Sequence, residues 1–390
     1  MDIYAQTFGP TLEDNTEIET GTSTLYPKDT YGDMYGPKEI NIPWGWILLV
    51  LILIGIGVGV FLYVRKKLLA KDRNEKAGEG VLMEVQVPSG NETEIGVAEK
   101  MFANLYGIGG KGSGIAEHFS VNNCVTFEVI GVPGEIRFYV HCPRKISDLV
   151  EKQILGSYQD AEVRVVTEYN IFAPDTKTAC TRLILAEDPY CPLRVASDFT
   201  GDPMANVLST LSKMSENEGA LVQLAVSPAG KEWQKNGEKF VQKIKNNNSD
   251  PEKKKIGISD EKLEGISKKV AKPGLIAEIR IVTSAPSEDI AKMHLDNIVG
   301  AFDQYSNPGI NRLEKKKVSE KEQKKFLYDV VFRRTPETEN SILNVEELAA
   351  LYHFPNKDTN TPNIKWLLAR ELIADNSISS DIQSKDTIWI

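Results

Sequence analysis

The sequence predicts a mixed α+β protein in which one N-terminal transmembrane helix precedes two α+β modules of ferredoxin-like (split βαβ) type and a C-terminal linker segment. Three observations lead to this fold class. Residues 40–64 carry no charge and are mainly apolar. Strand-like and helix-like patterns follow in the order β-α-β-β-α-β, which is the ferredoxin-like order. A less regular copy of that order comes next.

The uncharged run at 40–64 predicts a membrane-spanning helix. It holds 25 residues, whereas a bilayer core of roughly 30 Å needs about 20 apolar helical residues. Aromatic rings near both ends of the run suit the headgroup layer. A cleaved signal peptide carries its basic residues before the apolar core, and here they follow it. The residues that we assign to this anchor, which contacts membrane lipid, are Trp44, Trp46, Tyr63, Arg65, Lys66 and Lys67.

The charges that flank the apolar run predict its topology. Residues 1–39 contain eight acidic residues and two lysines, and residues 65–73 contain five basic residues and one acidic residue. Because basic residues stay on the cytoplasmic side, we expect a protein of the cell (inner) membrane with its N-terminus outside and its C-terminal domains in the cytoplasm. Residues 1–39 lack hydrophobic periodicity and predict a disordered outer tail. Residues 65–80 predict a basic juxtamembrane linker.

Residues 81–170 are expected to form the first ferredoxin-like domain. Its strand-like segments are rich in β-branched residues, and its helix-like segments repeat apolar residues at helical spacing. The turn at 131–134 (Gly-Val-Pro-Gly) joins the second strand to the third. The predicted strands span residues 81–87, 124–130, 135–141 and 161–169, and the predicted helices span residues 93–106 and 144–156.

Residues 171–336 are expected to form a second α+β domain of the same class. A polar stretch at 246–273 interrupts this domain and predicts an insertion. The predicted strands span residues 178–186, 220–228, 275–284 and 324–334, and the predicted helices span residues 203–216, 230–246 and 286–304.

The titratable residues indicate neither a metal site nor a catalytic site. The four cysteines form no CxxC pair and the four histidines are scattered, whereas metal ligands usually show tight spacing. His141 and Cys142 are neighbours in a predicted strand, so their side chains should point to opposite faces. In the glycine-rich loop at 107–114, Lys111 is followed by Gly112, which departs from the phosphate-binding motif GxxxxGK[ST]. The sequence therefore predicts a protein that is not an enzyme and has no cofactor.

The overall charge argues against a surface that is dedicated to nucleic acid. The formal net charge is −9, and a protein that grips DNA over its whole surface is usually basic. Residues 231–272 and 312–325 are nevertheless rich in lysine. They fit either solvated helix faces and loops or a surface that contacts phosphates, and nucleic-acid binding stays open.

Residues 337–390 are expected to form a C-terminal docking segment. It contains LeuAsnValGluGluLeuAlaAlaLeuTyrHisPhePro at 343–355, ThrPro at 361–362 and IleLysTrpLeu at 364–367. This pattern resembles the segment that precedes the nucleotide-binding core of membrane-anchored ATPases of the conjugation and type IV secretion kind, the HerA-like or TraG-like DNA-translocating proteins. Weaker upstream similarities extend the resemblance over residues 45–390.

The resemblance implies a function, although the P-loop motif that carries the family's ATPase activity does not occur in this sequence. We expect a non-catalytic anchor or accessory protein that seats a P-loop translocation ATPase, in cis or in trans, at the membrane. Such motors are typically hexameric, so a homo-oligomer stays open. The alternative is a membrane-tethered scaffold or sensor with an acidic outer tail and partner-binding cytosolic domains. The residues expected to dock the partner are Leu348, Tyr352, His353, Phe354, Pro355 and Trp366, of which the His-Phe-Pro run also fits a packing anchor for the tail.

Overall fold

The computed structural model of the 390-residue chain describes residues 44–107, 122–249, 257–338 and 340–367, with no description of the side chains of residues 76 and 77. The predicted outer tail, most of the glycine-rich loop and residues 368–390 of the predicted docking segment lie outside these ranges. The chain divides into two units after Val60, so the last turns of the N-terminal helix belong to the larger unit.

The N-terminal helix, α1, spans Trp44–Gly78. It is the one helix of the described residues that is long and apolar enough to cross a membrane. Its side chains are exposed along the apolar run, with Trp44 at 77% and Tyr63 at 69%. The prediction of one long apolar N-terminal helix is therefore confirmed. The helix continues without a break through the basic stretch, because alanine, leucine and lysine favour helix, and it ends at Gly78.

The larger unit combines antiparallel strands with helices, as the α+β prediction requires. The strands of the described residues are β1 (Gly80–Gln86), β2 (Val125–Val132), β3 (Glu135–Pro143), β4 (Glu162–Val166), β5 (Lys177–Leu185), β6 (Gly219–Pro228), β7 (Gly274–Ala285), β8 (Leu313–Lys317) and β9 (Ile342–Asn344). The helices are α2 (Gly96–Tyr106), α3 (Ser147–Ser157), α4 (Ala205–Leu211), α5 (Glu232–Ser249), α6 (Asp260–Val270), α7 (Glu288–Ala301), α8 (Glu320–Val331) and α9 (Val345–Leu351).

The strands form one sheet rather than two separate ones. Their order is β4-β1-β3-β2-β6-β7-β5-β8, and β9 pairs with β7 beside this path. All the pairs are antiparallel. The strands predicted for the two domains meet at β2 and β6, which pair over seven residues from Val125 to Gly131. The two predicted domains therefore share one continuous sheet.

One predicted strand, residues 324–334, is wrong. These residues lie mainly in α8, and β8 takes the place of the last strand. Ser319 and Glu322 form a capping box that starts the helix, and this motif is typical of helix N-termini. Phe326 and Val330 lie four residues apart and are both buried. The aromatic and β-branched residues that suggest a strand thus form the buried side of a helix.

The predicted polar insertion contains a packed helix. Within residues 246–273, α6 begins after Ser259, whose hydroxyl accepts a hydrogen bond from the Lys262 amide at 3.2 Å. Leu263 and Ile266 are buried in a small second core that includes Trp233 of α5. Apolar residues occur at helical spacing between the lysines, so the polar composition of this stretch does not imply an unfolded loop.

The main core lies between one face of the sheet and a layer of helices. Alternate residues of the strands, such as Met83, Phe127 and Ile281, point into this core. The helices of this layer are α2, α3, α4, α7 and α9. The opposite face of the sheet carries a smaller apolar cluster under α8. Two unlike faces result from strict alternation along each strand.

The segment at 340–367 completes this sheet and core. β9 pairs with the first three residues of β7, and α9 packs on α2. Asn344 accepts a hydrogen bond from the Glu347 amide at 2.9 Å and so caps α9. The chain then runs beside β3 through Ile364, and Leu367 donates its amide to the Val87 carbonyl at 2.9 Å. Most of the described part of the predicted docking segment is therefore structural.

Candidate functional site

A row of polar residues crosses the sheet on the face that carries α8. Each member lies directly opposite the next on a neighbouring strand, so the row runs through eight strands. A polar or charged side chain is usually buried in an apolar strand only when it has a hydrogen-bond or charge partner. The row consists of Arg164, Glu84, Tyr139, Glu128, Gln223, Arg280, Arg182 and Lys316.

Glu128 lies at the centre of this row and is fully buried. Its carboxylate accepts four hydrogen bonds. Arg333 Nε donates to it at 2.9 Å and Gln223 Nε2 at 2.8 Å. The hydroxyls of Thr126 and Tyr169 donate at 3.1 and 2.8 Å. Four donors around one carboxylate fit its ionised form, because an ionised carboxylate only accepts.

Arg333 joins the end of α8 to the sheet. Its backbone has φ of 49°, in the left-handed region that favours glycine. Its guanidinium also donates two hydrogen bonds to Glu168, at 3.0 and 2.9 Å. Burial alone would lower the pKa of Arg333, but Glu128 and Glu168 raise it, so this arginine stays charged. An arginine in this left-handed conformation indicates that the free energy gained from its side-chain contacts exceeds the free-energy cost of the backbone conformation.

A second buried pair holds the same end of α8. Arg280 of β7 donates to Glu278 at 2.9 Å and to Gln223 Oε1 at 3.1 Å. It also donates to the carbonyls of Asp329 and Arg334, at 3.2 and 2.8 Å. The last carbonyls of a helix have no partner within the helix. Arg280 therefore fixes the C-terminal end of α8 to the middle of the sheet.

The last turns of α1 reach this assembly. Arg73 donates to Glu337 at 2.9 Å, and Lys325 of α8 donates to the same carboxylate at 3.0 Å. Burial would raise the pKa of Glu337, but Lys325 and Arg73 hold it below its usual value. Leu69 and Arg73, four residues apart, are half-buried. One side of the last turns of α1 is thus attached to the domain next to α8.

His141 and Cys142 lie on opposite faces, as predicted. Cys142 belongs to the main core, and burial raises the pKa of its thiol to about 12. His141 is buried on the polar face, where Gly80 approaches its ring so closely that a Cβ would overlap it. Burial, and secondarily the charge of Arg333, lowers the pKa of His141 to about 3. The two side chains therefore cannot act as a nucleophile and base pair.

We expect His141 to make the protein less stable in mild acid. Its folded-state pKa lies below the ordinary value of 6.5, so its contribution to stability is complete above that value and is lost as the pH falls toward 3. Between about pH 7 and pH 5 this amounts to about 2 kcal/mol. Urea unfolding of the full chain in detergent should show this loss, and His141→Leu should remove it. Equal pH slopes in both proteins would contradict the assignment.

The structure places the predicted anchor and docking residues very differently. The anchor residues Trp44, Trp46 and Tyr63 are exposed on α1. Five predicted docking residues are instead buried in their own chain, namely Leu348, Tyr352, His353, Phe354 and Pro355, and Trp366 is half-buried. Buried side chains offer no surface to a partner. The rings of Tyr352 and Phe354 pack on Phe138 at centroid distances of 6.3 and 6.1 Å.

His353 anchors the tail, as one of the two interpretations of the His-Phe-Pro run expects. Its Nδ1 lies 2.8 Å from the Ala349 carbonyl and its Nε2 lies 3.0 Å from Asp202 Oδ1. Asp202 also accepts the Met204 amide at 2.7 Å and the Thr359 hydroxyl. Burial would raise the pKa of Asp202, but these hydrogen bonds lower it.

Several lysines of the lysine-rich stretches are paired with carboxylates of the same chain. Lys315 and Lys316 lie 2.5 and 2.6 Å from Asp296 and Glu314. Lys315 also lines a cleft of about 740 Å³ between β5, β8 and α7. Lys269 is buried against Glu347 at 3.0 Å. Such pairing supports the structural interpretation for Lys269, Lys315 and Lys316, whereas Lys321 and Lys324 are exposed.

The polar row is the feature that sequence reasoning missed. A signal was present, because Glu128, Gln223 and Arg280 each interrupt a strongly apolar strand. A charge in the middle of a buried strand implies a buried partner. The partner Arg333 is not identified in this way, because the aromatic and β-branched residues at 324–334 predict a strand rather than the helix α8.

The described residues therefore form a mixed α+β domain with one antiparallel sheet, preceded by one long apolar helix. The chain belongs to the family described as Domain of unknown function (DUF8128), which matches residues 66–367. The match begins within the last turns of α1 and ends where the described tail ends. No curated protein matches the chain.

One similar solved structure is a glycopeptide hexose oxidase in complex with teicoplanin. It shares 11% identity and a TM-score of 0.28 with this chain, and the match covers 58% of this chain. The matched part spans 41% of the oxidase, which is less than half of its length. A likeness at this level carries no information about fold or activity.

Proposed function

We propose that the protein is a non-catalytic, single-pass membrane protein that holds a P-loop translocation ATPase at the cytoplasmic side of the inner membrane. In this proposal α1 spans the bilayer with its N-terminus outside, and the sheet domain stands in the cytoplasm. The polar face then serves as a stiff mechanical connection between α8 and the sheet. A homo-oligomer, as hexameric motors would require, is part of the same proposal.

The observation that carries this proposal is the connection, within the larger unit, between the last turns of α1 (residues 61–78) and the sheet. Only Glu79 separates the end of α1 from β1. Arg73 ties the last turns of α1 to Glu337, and the arginines 280 and 333 tie the end of α8 to the sheet. A simple tether needs only a flexible linker. A stiff connection suits a part that resists force or sets a fixed geometry.

The resemblance at 343–367 supports the choice of a motor as the partner, although its side chains are internal. This segment leads the chain to Leu367, which bonds to Val87 just after β1, and β1 pairs with the edge strand β4. A motor in trans could add a strand to β4, which is the edge of the sheet among the described strands. Each half of the sheet has the strand order 4-1-3-2, which supports the proposal that each half is ferredoxin-like.

A membrane-tethered scaffold or sensor is the second candidate function. The observation that favours it is the burial of Leu348, Tyr352 and Phe354 in the main core. Residues 343–367 complete the domain, so they would be required for folding whatever the function of the protein is. The sequence pattern at 343–367 therefore fits both a protein that holds a motor and a scaffold for an unrelated partner.

We expect the N-terminus to be outside the cell. A membrane-impermeant maleimide should label Ser23→Cys in intact cells and should label Lys152→Cys only after the membrane is ruptured. The Lys152 side chain on α3 is exposed, so its lack of labelling would reflect its compartment. The opposite pattern of labelling would overturn the topology, and carbonate extraction of the chain from membranes would overturn the anchor.

The partner is tested by photocrosslinking in intact cells. Val165 on the edge strand β4 is 70% exposed, so a photoreactive amino acid placed there should capture a P-loop ATPase that lies at this edge. The matched control is Lys239 on α5, which is also exposed. Capture of a partner without a P-loop at Val165 would favour the scaffold. Equal capture at both positions would remove the support for a seat at β4.

A further inference from the structure

One side of α8 carries basic and apolar residues that the domain leaves exposed. We call this surface the α8 stripe, and its members are Lys321, Lys324, Lys325, Tyr328, Val331 and Phe332. The spacings of three and four residues put all six on one side of the helix. Phe332 is 41% exposed and Val331 is 51% exposed. The opposite side, with Phe326 and Val330, is buried against the sheet.

The apolar end of the α8 stripe continues onto a neighbouring segment. Phe172 is also exposed, and it shares a small depression of about 50 Å³ with Ile171 and Val331. The rings of Tyr328 and Phe332 stack at 4.2 Å, and Arg334 lies over Tyr328. Contiguous exposed apolar side chains with a polar rim mark an interaction surface.

The α8 stripe lies beside the turns of α1 that leave the apolar run. Lys325 belongs to the stripe, and it shares the Glu337 carboxylate with Arg73. Arg73 comes eight residues after Arg65, the first charge beyond the run. Eight residues of helix rise about 12 Å. The headgroup layer on each side of a bilayer is about 5–8 Å thick, so the stripe is attached to α1 just beyond that layer.

The charges of the α8 stripe are complementary to an anionic surface. Lys321 and Lys324 are exposed at its basic end. Of the three carboxylates of α8, Glu322 accepts hydrogen bonds from Ser319, Asp329 accepts one from Arg334, and Glu320 is exposed at the first residue of the helix. Lysines beside exposed aromatic rings are the composition of helices that lie in the headgroup layer of anionic membranes.

We propose that the α8 stripe docks on the headgroup layer of an anionic lipid leaflet and so holds the sheet domain against the membrane. Lys321 and Lys324 contact lipid phosphates, and Tyr328, Val331 and Phe332 enter the boundary between headgroups and acyl chains. The proposal rests on the membrane-spanning role of α1. Docking through α8 would give the domain a second membrane contact, and Arg280 and Arg333 would connect that contact to the sheet.

Hydrogen exchange tests the proposal on the full chain in nanodiscs. Amides of α8 should exchange roughly tenfold more slowly in discs of phosphatidylcholine with phosphatidylglycerol than in phosphatidylcholine alone. The double variant Lys321→Glu/Lys324→Glu should lose this difference, and Tyr328→Ser/Phe332→Ser should reduce it. The control Lys239→Glu/Lys243→Glu on the exposed side of α5 has the same charge change and should retain the difference. All these positions are exposed, so circular dichroism should show that the variants fold.

The outcomes distinguish this proposal from the proposed function. Equal exchange of α8 in both kinds of disc would overturn lipid docking, while incorporation into the discs would still support the anchor. Failure of the chain to enter discs would overturn the anchor itself. Protection of α8 that appears only when a purified protein partner is added would assign the stripe to that partner and overturn the lipid proposal.

Discussion

Replacement of Arg333 by glycine should lower the free energy of unfolding by about 3–5 kcal/mol, although glycine suits the backbone better. The left-handed conformation of Arg333 costs a side-chain-bearing residue about 1 kcal/mol, and glycine would recover this cost. The same change removes the cation that pairs with the fully buried Glu128. An uncompensated buried charge usually costs more than the backbone gains. Urea unfolding of the full chain in detergent measures the difference.

Two further variants separate the charge of Arg333 from its shape. Arg333→Lys keeps a cation but cannot donate to both Glu128 and Glu168 as the guanidinium does, so we expect an intermediate loss. Glu128→Gln in the Arg333→Gly background removes the buried charge and should restore part of the stability. A variant Arg333→Gly that is as stable as the native protein would show that the backbone cost, not the ion pair, dominates at this position.

The class of fold and its individual strands could be predicted from local patterns. Alternation along 124–130 and 275–284 marks β2 and β7, and the apolar run marks α1. The capping motif from Ser319 to Glu322 also marks α8, but the aromatic and β-branched residues after it resemble a strand. Short apolar segments are ambiguous between helix and strand until their length and capping residues are weighed together.

The union of the two halves could not be predicted in this way. β2 pairs with β6 across nearly a hundred residues of sequence, and no local pattern specifies which edge strands meet. The same holds for the polar row, because Glu128 and Arg333 come together only after α8 lies on the sheet. Function is harder still, since a buried signature such as Tyr352 and Phe354 looks the same in sequence as an exposed docking motif.

Lys269 and Glu347 form a second buried ion pair with a comparable expected effect. Both side chains are 1% exposed and lie 3.0 Å apart. Glu347 also accepts the amides of Leu193 and Asn344 at 2.7 and 2.8 Å, and Lys269 donates to the Cys191 carbonyl at 3.1 Å. The pair therefore joins α6, inside the lysine-rich insertion, to α9 in the tail. Burial lowers the pKa of Lys269 and raises that of Glu347.

We expect Lys269→Met to destabilise the protein by about 3–5 kcal/mol, because it leaves the Glu347 carboxylate buried without its cation. Methionine fills a similar volume, so lost packing contributes little. The double variant Lys269→Met/Glu347→Gln should be more stable than Lys269→Met alone, since no buried charge remains. In a double-mutant cycle, the sum of the stability losses of the two single variants should exceed the stability loss of the double variant. Additive losses would show that the two groups do not interact.

The pH dependence of Lys269→Met provides an independent check. Burial already raises the pKa of Glu347 above its ordinary 4.5, and removal of Lys269 should raise it further. A raised pKa in the folded state means that the protonated form is favoured there, so stability is greatest below 4.5 and falls as the pH rises through the folded pKa. The variant should therefore approach the native protein in stability at about pH 5 and fall behind it at about pH 8. A constant difference across this range would mean that Glu347 is stabilised by its amide donors alone, and the role assigned to Lys269 would be wrong.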